Sequence, residues 1–167
     1  MNNQEIERAL TGYRICKQMF VGVFSADNLP VKEYSGAYVS NTDMSTQSGR
    51  HWVAFFTPVP GQVDFFDSFG REPSSYSPHL VEWIGKDKAK SSKKIFQTDN
   101  SVVCGNYCIL FLLSRSHKIP FDDIISILSK NKNINDRFVH KFVNEYFNMK
   151  TKLTDREFSS SQFARTT

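Results

Sequence analysis

A cysteine stands where a short polar stretch, Asn100-Ser101-Val102-Val103, runs into the apolar segment Tyr107-Cys108-Ile109-Leu110-Phe111-Leu112-Leu113. If that segment is a helix, Cys104 lies at its N-terminus, beside unpaired N–H groups and the positive end of the macrodipole. Both favour the thiolate, the form that attacks a carbonyl carbon. Gly105 follows and leaves room for a substrate backbone to approach. A thiol nucleophile also needs a base, an orienter for that base, and donors for the developing oxyanion. His51 and Asp67 are candidates for the first two, and Gln97, seven residues before Cys104, offers an amide for the third. Each has a plainer reading. Cys104 can be a small core residue, His51 a surface histidine at a strand end, Asp67 the start of a turn and Gln97 a solvent-facing strand residue.

The elements around these residues decide whether they meet. His51-Trp52-Val53-Ala54-Phe55-Phe56-Thr57 and Val63-Asp64-Phe65-Phe66-Asp67-Ser68 have strand composition, with the turn Pro58-Val59-Pro60-Gly61-Gln62 between them. They form an antiparallel hairpin. With Phe55 opposite Val63, His51 falls opposite Asp67, on one face and with Cβ atoms about 4.5–5.5 Å apart. Trp52 then walls a cleft beside His51, or fills core. Periodicity gives a helix over Asn3–Lys17 capped by Asn3, strands at Phe20–Phe24 and Gly36–Asn41, and a helix after Ser77-Pro78. The lysine-rich stretch Gly85–Lys94 reads as a loop and Ile95-Phe96-Gln97 as a short strand. Helices follow over Cys104–Lys118, stopped by Pro120, and Phe121–Lys130. A last helix is capped by Asn135 and carries Phe138, Val139, Phe142, Val143 and Tyr146.

The chain of 167 residues is read as a single domain over 1–150 and a polar, flexible tail over 151–167. Its apolar share of 40% excludes a disordered chain, and a net charge of +4 permits an acidic partner without demanding one. Three cysteines argue against a secreted disulfide framework and for a reducing, intracellular compartment. No signal peptide or membrane span is legible, so no membrane partner is expected. Cys104 and Cys108 are not a C-x-x-C pair. A zinc site from Cys104, Cys108 and His117 lacks a fourth ligand, and no metal is expected.

The order His–acid–Gln–Cys, with Gly49-x-His51-Trp52, Phe69-Gly70 after the acid, and Asn100-Ser101-x-x-Cys104-Gly105 with Cys108 following, resembles the adenovirus-type cysteine proteases (adenain) and the related ubiquitin-like-modifier proteases. Cys16-x-x-x-Phe20-Val21-Gly22 and Val39-x-Asn41-Thr42 are similar to the same pattern, over roughly residues 5–118. The resemblance implies an α+β, papain-like fold, with a mostly antiparallel sheet packed on a central helix that carries the nucleophile. It implies a thiol endopeptidase in which Cys104 attacks, His51 is the base, Asp67 orients it and Gln97 completes the oxyanion hole. The implied substrates are structural precursor proteins of a virus or virus-like element, cleaved by a monomer in a virion or host nucleus. No cofactor is required by the chemistry. The family raises DNA and an activating peptide as accessory cofactors, DNA through Lys86, Lys88, Lys90, Lys93 and Lys94; a solvated loop is the plainer reading of those lysines. Two departures matter. The acid is Asp67, as in the modifier proteases, where adenain has Glu. No cysteine precedes Gln97, which counts against activation through a disulfide-linked peptide. Two rival functions stay open: a deconjugase for a ubiquitin-like modifier, and an inactive or DNA-binding module.

Overall fold

The computed structural model describes residues 1–148, with side chains through residue 145. The expected domain boundary at 150, the tail over 151–167 and the side chain of Tyr146 lie outside the described residues.

Five strands form one sheet in sequence order: β1 (Phe20–Phe24), β2 (Ala37–Asn41), β3 (Trp52–Phe56), β4 (Gln62–Phe66) and β5 (Lys88–Ser91). The three central strands run antiparallel, and each edge strand adds parallel to its neighbour, so the sheet is mixed. Alternation along the strands divides the core in two. Val39, Ala54, Phe56 and Phe66 face one layer, while Tyr38, Val53, Phe55, Val63 and Phe65 face another that includes Leu80 and Ile84 of α3 (Pro78–Ile84). The first layer is built on α4 (Cys104–Ser116), in which every residue from Gly105 to Ser114 is buried. A helix buried on every side needs no polar face, which explains its continuous apolar run. Phe111 of α4 stacks on Phe66 of β4 at 4.9 Å between ring centroids. Around α4 lie α1 (Asn3–Thr11), α2 (Arg14–Met19), α5 (Phe121–Ser126) and α6 (Lys132–Asn148).

Several expectations are corrected. The single N-terminal helix is two, because Tyr13 is extended (φ −111°, ψ 129°) and breaks the chain after Gly12. Its cap is Asn2, in a capping box with Glu5, not Asn3. The hairpin pairs Phe55 with Phe65, not with Val63. Gly61, at φ +80°, closes the turn so that Gln62 already belongs to β4. The displacement is two residues, which preserves the face of every side chain where a slip of one would invert it. His51 and Asp67 are therefore diagonal neighbours, each just beyond a strand end, instead of a directly opposed pair. The lysine-rich stretch is not all loop: Lys88–Ser91 pairs with β4, tertiary pairing having overridden its weak strand composition. Lysines on an edge strand also discourage further strand addition. Ile95-Phe96-Gln97 is no strand, since the N–H groups of Phe96 and Gln97 both donate to Ser68 O (2.9 and 3.1 Å). The helix after Pro120 ends at Ser126, short of Lys130, and α4 ends at Ser116, short of Lys118. Asn131, not Asn135, caps the last helix, accepting from the N–H groups of Asn133 and Ile134. Asn135 is buried within it.

Candidate active site

A cleft of about 730 Å³ opens at the end of the sheet where β1 and β2 finish and β3 begins. Cys104, His51, Trp52, Gln97 and Phe69 line it. His51 arrives on the first residue before β3 and Asp67 on the first after β4, so the hairpin carries both to the N-terminal end of α4. Val103 precedes α4 without a side-chain cap, which leaves the first-turn N–H groups free to face an anion.

His51 Nε2 lies 2.6 Å from Asp67 Oδ1. That leaves Nδ1 for Cys104, and the imidazole and the thiol are close enough for each to shift the other's ionisation. Asp67 also accepts from the N–H groups of Phe69 (3.0 Å) and Arg71 (2.8 Å) and from the Tyr76 hydroxyl (2.7 Å). Burial pushes the Asp67 carboxyl up, but His51 and these donors outweigh it and hold the acid below its usual range. The Phe69 and Tyr76 rings flank the imidazole, with centroids 4.8 and 5.6 Å from it. Gly70 makes this turn feasible: its φ is +66°, and a Cβ there would lie 2.6 Å from Lys94 O.

Burial likewise pushes the His51 imidazole down, but Asp67 and Cys104 reverse this and raise it to about 9. For Cys104, burial pushes the thiol up; His51 and the N–H groups of Trp52 and Gly105 overcome that and hold it below the ordinary thiol value. The two shifts together favour the thiolate–imidazolium form of the pair over the neutral one. The sign is fixed by both limbs. Below the depressed thiol pKa the sulfur is neutral, and above about 9 the imidazolium has lost the proton needed by a leaving amine. Peptide hydrolysis should therefore be bell-shaped in pH with its alkaline limb near 9. Iodoacetamide should label Cys104 at neutral pH well before Cys16, whose buried thiol is raised to about 11, and Cys108, whose thiol burial also pushes well up. Rates measured by mass spectrometry across pH check both.

Gln97 is buried. Its Oε1 accepts from Ser68 Oγ (2.6 Å) and its Nε2 donates to Ser101 O (2.9 Å), which leaves a second amide hydrogen on Nε2 at the cleft. The backbone around it is clamped by α6. Asn135 Nδ2 donates to Phe96 O (3.2 Å), and Asp136 accepts from Thr98 N (3.2 Å), Thr98 Oγ1 (2.6 Å) and Tyr107 Oη (2.9 Å).

The structure thus brings Cys104, His51, Asp67 and Gln97 to one end of the molecule, with Trp52 beside them and its indole N–H donating to Met1 O (3.3 Å). Gly105 is different. It is buried, and a Cβ there would meet Met1 Sδ at 3.0 Å and Ile6 Cδ1 at 3.4 Å, so it admits the N-terminal segment and not a substrate. Lys86, Lys88, Lys90, Lys93 and Lys94 are exposed and none lines the cleft. Lys90 is engaged, 2.7 Å from Asp122 and over the Phe121 ring. No metal-binding cluster exists among the described residues. His117 caps the far end of α4, about 20 Å from Cys104 at 1.5 Å per residue, so the three zinc candidates do not converge. No helix among the described residues is long and apolar enough to cross a membrane. Sequence reading gave no site role to Tyr76, Ser68 or Asp136: Tyr76 and Asp136 carry no local pattern, whereas Ser68, beside the acid and donating to Gln97, was a usable signal.

Comparison with known proteins finds relatives of one kind. No family model matches the chain. A candidate thiol protease of Acanthamoeba polyphaga mimivirus is 34% identical over 100 residues, covering 54% of this chain and 33% of that protein. A SUMO-1 cysteine protease of African swine fever virus is 26% identical over 123 residues, 65% of this chain and 42% of that protein. These homologues are viral cysteine proteases. The crystal structure of the African swine fever virus protease superposes with a TM-score of 0.51 and 17% identity, covering 84% of this chain and 66% of that one. The fold is the α+β, papain-like fold of that protease. The chain spans only 33–42% of the length of these curated relatives.

Proposed function

We propose that this chain is a cysteine-type endopeptidase. The observation that carries the reading is the Cys104–His51–Asp67 chain of contacts, with the Gln97 amide opening into the same cleft. The Cys104 thiolate attacks the scissile carbonyl carbon. The oxyanion that forms accepts from Gln97 Nε2–H and the Cys104 N–H. The His51 imidazolium gives its proton to the leaving amine as the C–N bond breaks. His51 then takes a proton from water, whose oxygen attacks the thioester and releases the thiolate. Asp67 holds the imidazole in orientation and stabilises its charged form throughout.

Gln97→Ala should lower kcat by about 10²–10³, the cost of one oxyanion donor. Labelling of Cys104 by iodoacetamide, which forms no oxyanion, should be unchanged. Loss of both would reduce Gln97 to a structural residue.

The substrates we propose are structural precursor proteins of a virus or virus-like element, by likeness to the viral homologues. A second reading, removal of a SUMO-like modifier, is favoured by the name of the African swine fever virus relative and by the aspartate at position 67. Incubation with modifier–amide reporters and with a tryptic peptide library, read by mass spectrometry, separates them. Cleavage within library peptides by the wild type and not by Cys104→Ala supports the endopeptidase; turnover of the reporters alone supports the deconjugase; neither overturns both.

A further inference from the structure

A second cavity, of about 450 Å³, opens on the far side of the first turn of α4, between α1 and α6. Met1 and Val102 line both this cavity and the catalytic cleft, so the two are separated by a ridge and not by the body of the protein. Asn106 lines it two residues after Cys104, a turn of about 200° around the helix from the thiol. Asn106 is only 4% exposed, yet its side-chain amide bonds to no other described residue. The amide atoms are not enclosed but open to the cavity, where they match a partner that brings both a donor and an acceptor. His140 and Asn144 of α6 add polar groups at the rim. On the ridge, Val102 is an apolar side chain left 81% exposed next to the nucleophile.

We infer that this cavity is a distal subsite for the polypeptide substrate. The chain leaving the scissile bond on one side crosses Val102 and presents a peptide group, or an amide-like side chain, to Asn106. A peptide bond offers the N–H and C=O that a lone amide matches, and continuity with the cleft through Met1 and Val102 supplies the path. A helix is about 10 Å across and an extended chain advances about 3.3 Å per residue, which places the occupant about three residues from the scissile bond. The inference rests on the endopeptidase reading.

The test uses the best-cleaved member of a tryptic peptide library, trimmed one residue at a time from each end. Asn106→Ala should raise KM for the untrimmed peptide about three- to tenfold, the worth of one hydrogen bond, with kcat unchanged. On the peptide trimmed to two residues on the relevant side, wild type and variant should have the same KM. His140→Ala, at an exposed position, gives the same length-dependent pattern and covers the case in which Asn106→Ala folds poorly. Equal effects on long and trimmed peptides, or no effect on either, overturn the subsite while leaving the endopeptidase intact. If the wild type cleaves no library member, the endopeptidase reading fails first and the subsite falls with it.

Discussion

Cys104→Ala should abolish peptide hydrolysis and leave the chain folded. The reaction needs electrons from sulfur, and Cys104 is the only thiol lining the cleft among the described residues. His51 is held by Asp67, and the other cysteines, Cys16 and Cys108, are buried in the core. The structural cost is small because Cys104 is only partly buried and stands at the first position of α4, where no packed interior is emptied. Alanine also keeps the helix propensity of the first turn. Cys108→Ala gives the opposite signature, since that thiol is enclosed in the core and its removal leaves a cavity. Peptide turnover and thermal unfolding measured together separate them: Cys104→Ala loses kcat at constant Tm, and Cys108→Ala loses Tm while the site chemistry is retained. Residual turnover by purified Cys104→Ala would remove the thiol from the mechanism.

His51→Ala should lower kcat/KM by about 10⁴-fold or more, since it removes the base, the proton donor and the cation that holds the thiolate. The last effect can be seen without substrate. With the imidazolium gone, burial of the Cys104 thiol meets weaker opposition from the Trp52 and Gly105 N–H groups, and its pKa rises. Alkylation by iodoacetamide at neutral pH then slows, and its profile moves to higher pH. The protein should survive the change. Asp67 keeps three donors, from the N–H groups of Phe69 and Arg71 and the hydroxyl of Tyr76, so its buried carboxylate is not orphaned. An alkylation profile unmoved by His51→Ala would show that the thiol and the imidazole do not communicate.

The residues that converge on the cleft were legible because their types are restrictive and their neighbours are distinctive. A thiol before glycine at the start of an apolar run has few uses, and His51 and Asp67 stand just beyond the ends of strands of clear composition. The hairpin was read two residues out of register, yet its conclusion held in part because the error was even: His51 and Asp67 stayed on one face and met diagonally. What single-sequence reading lacked was long-range geometry. Tyr76 reaches Asp67 from nine residues away through irregular chain, and Asp136 reaches Thr98 across 38 residues of sequence. No periodicity marks either. The fifth strand was missed for a related reason, because Lys88-Ala89-Lys90-Ser91 is a strand by what it pairs with and not by what it contains. Gly105 was assigned to substrate access, but the space it leaves is taken by Met1, which no local pattern reveals.

Cys104 rides on the most deeply buried helix of the described chain, while His51 and Asp67 stand at the ends of two sheet strands. Their alignment therefore depends on how α4 packs on the sheet, chiefly on β3 through Ala54 and Phe56, with Phe111 lying flat against Phe66 of β4, ring planes 12° apart. Flat rings can glide where interlocked side chains cannot. A displacement of 1 Å along that plane changes little in the buried area but can cost about a hundredfold in rate. In this architecture the interior acts as the alignment stage of the enzyme. Sequence drift would be tolerated on the outer faces of α5 and α6 and penalised in the aromatic seam, and function would fail there through misalignment before the molecule failed through unfolding.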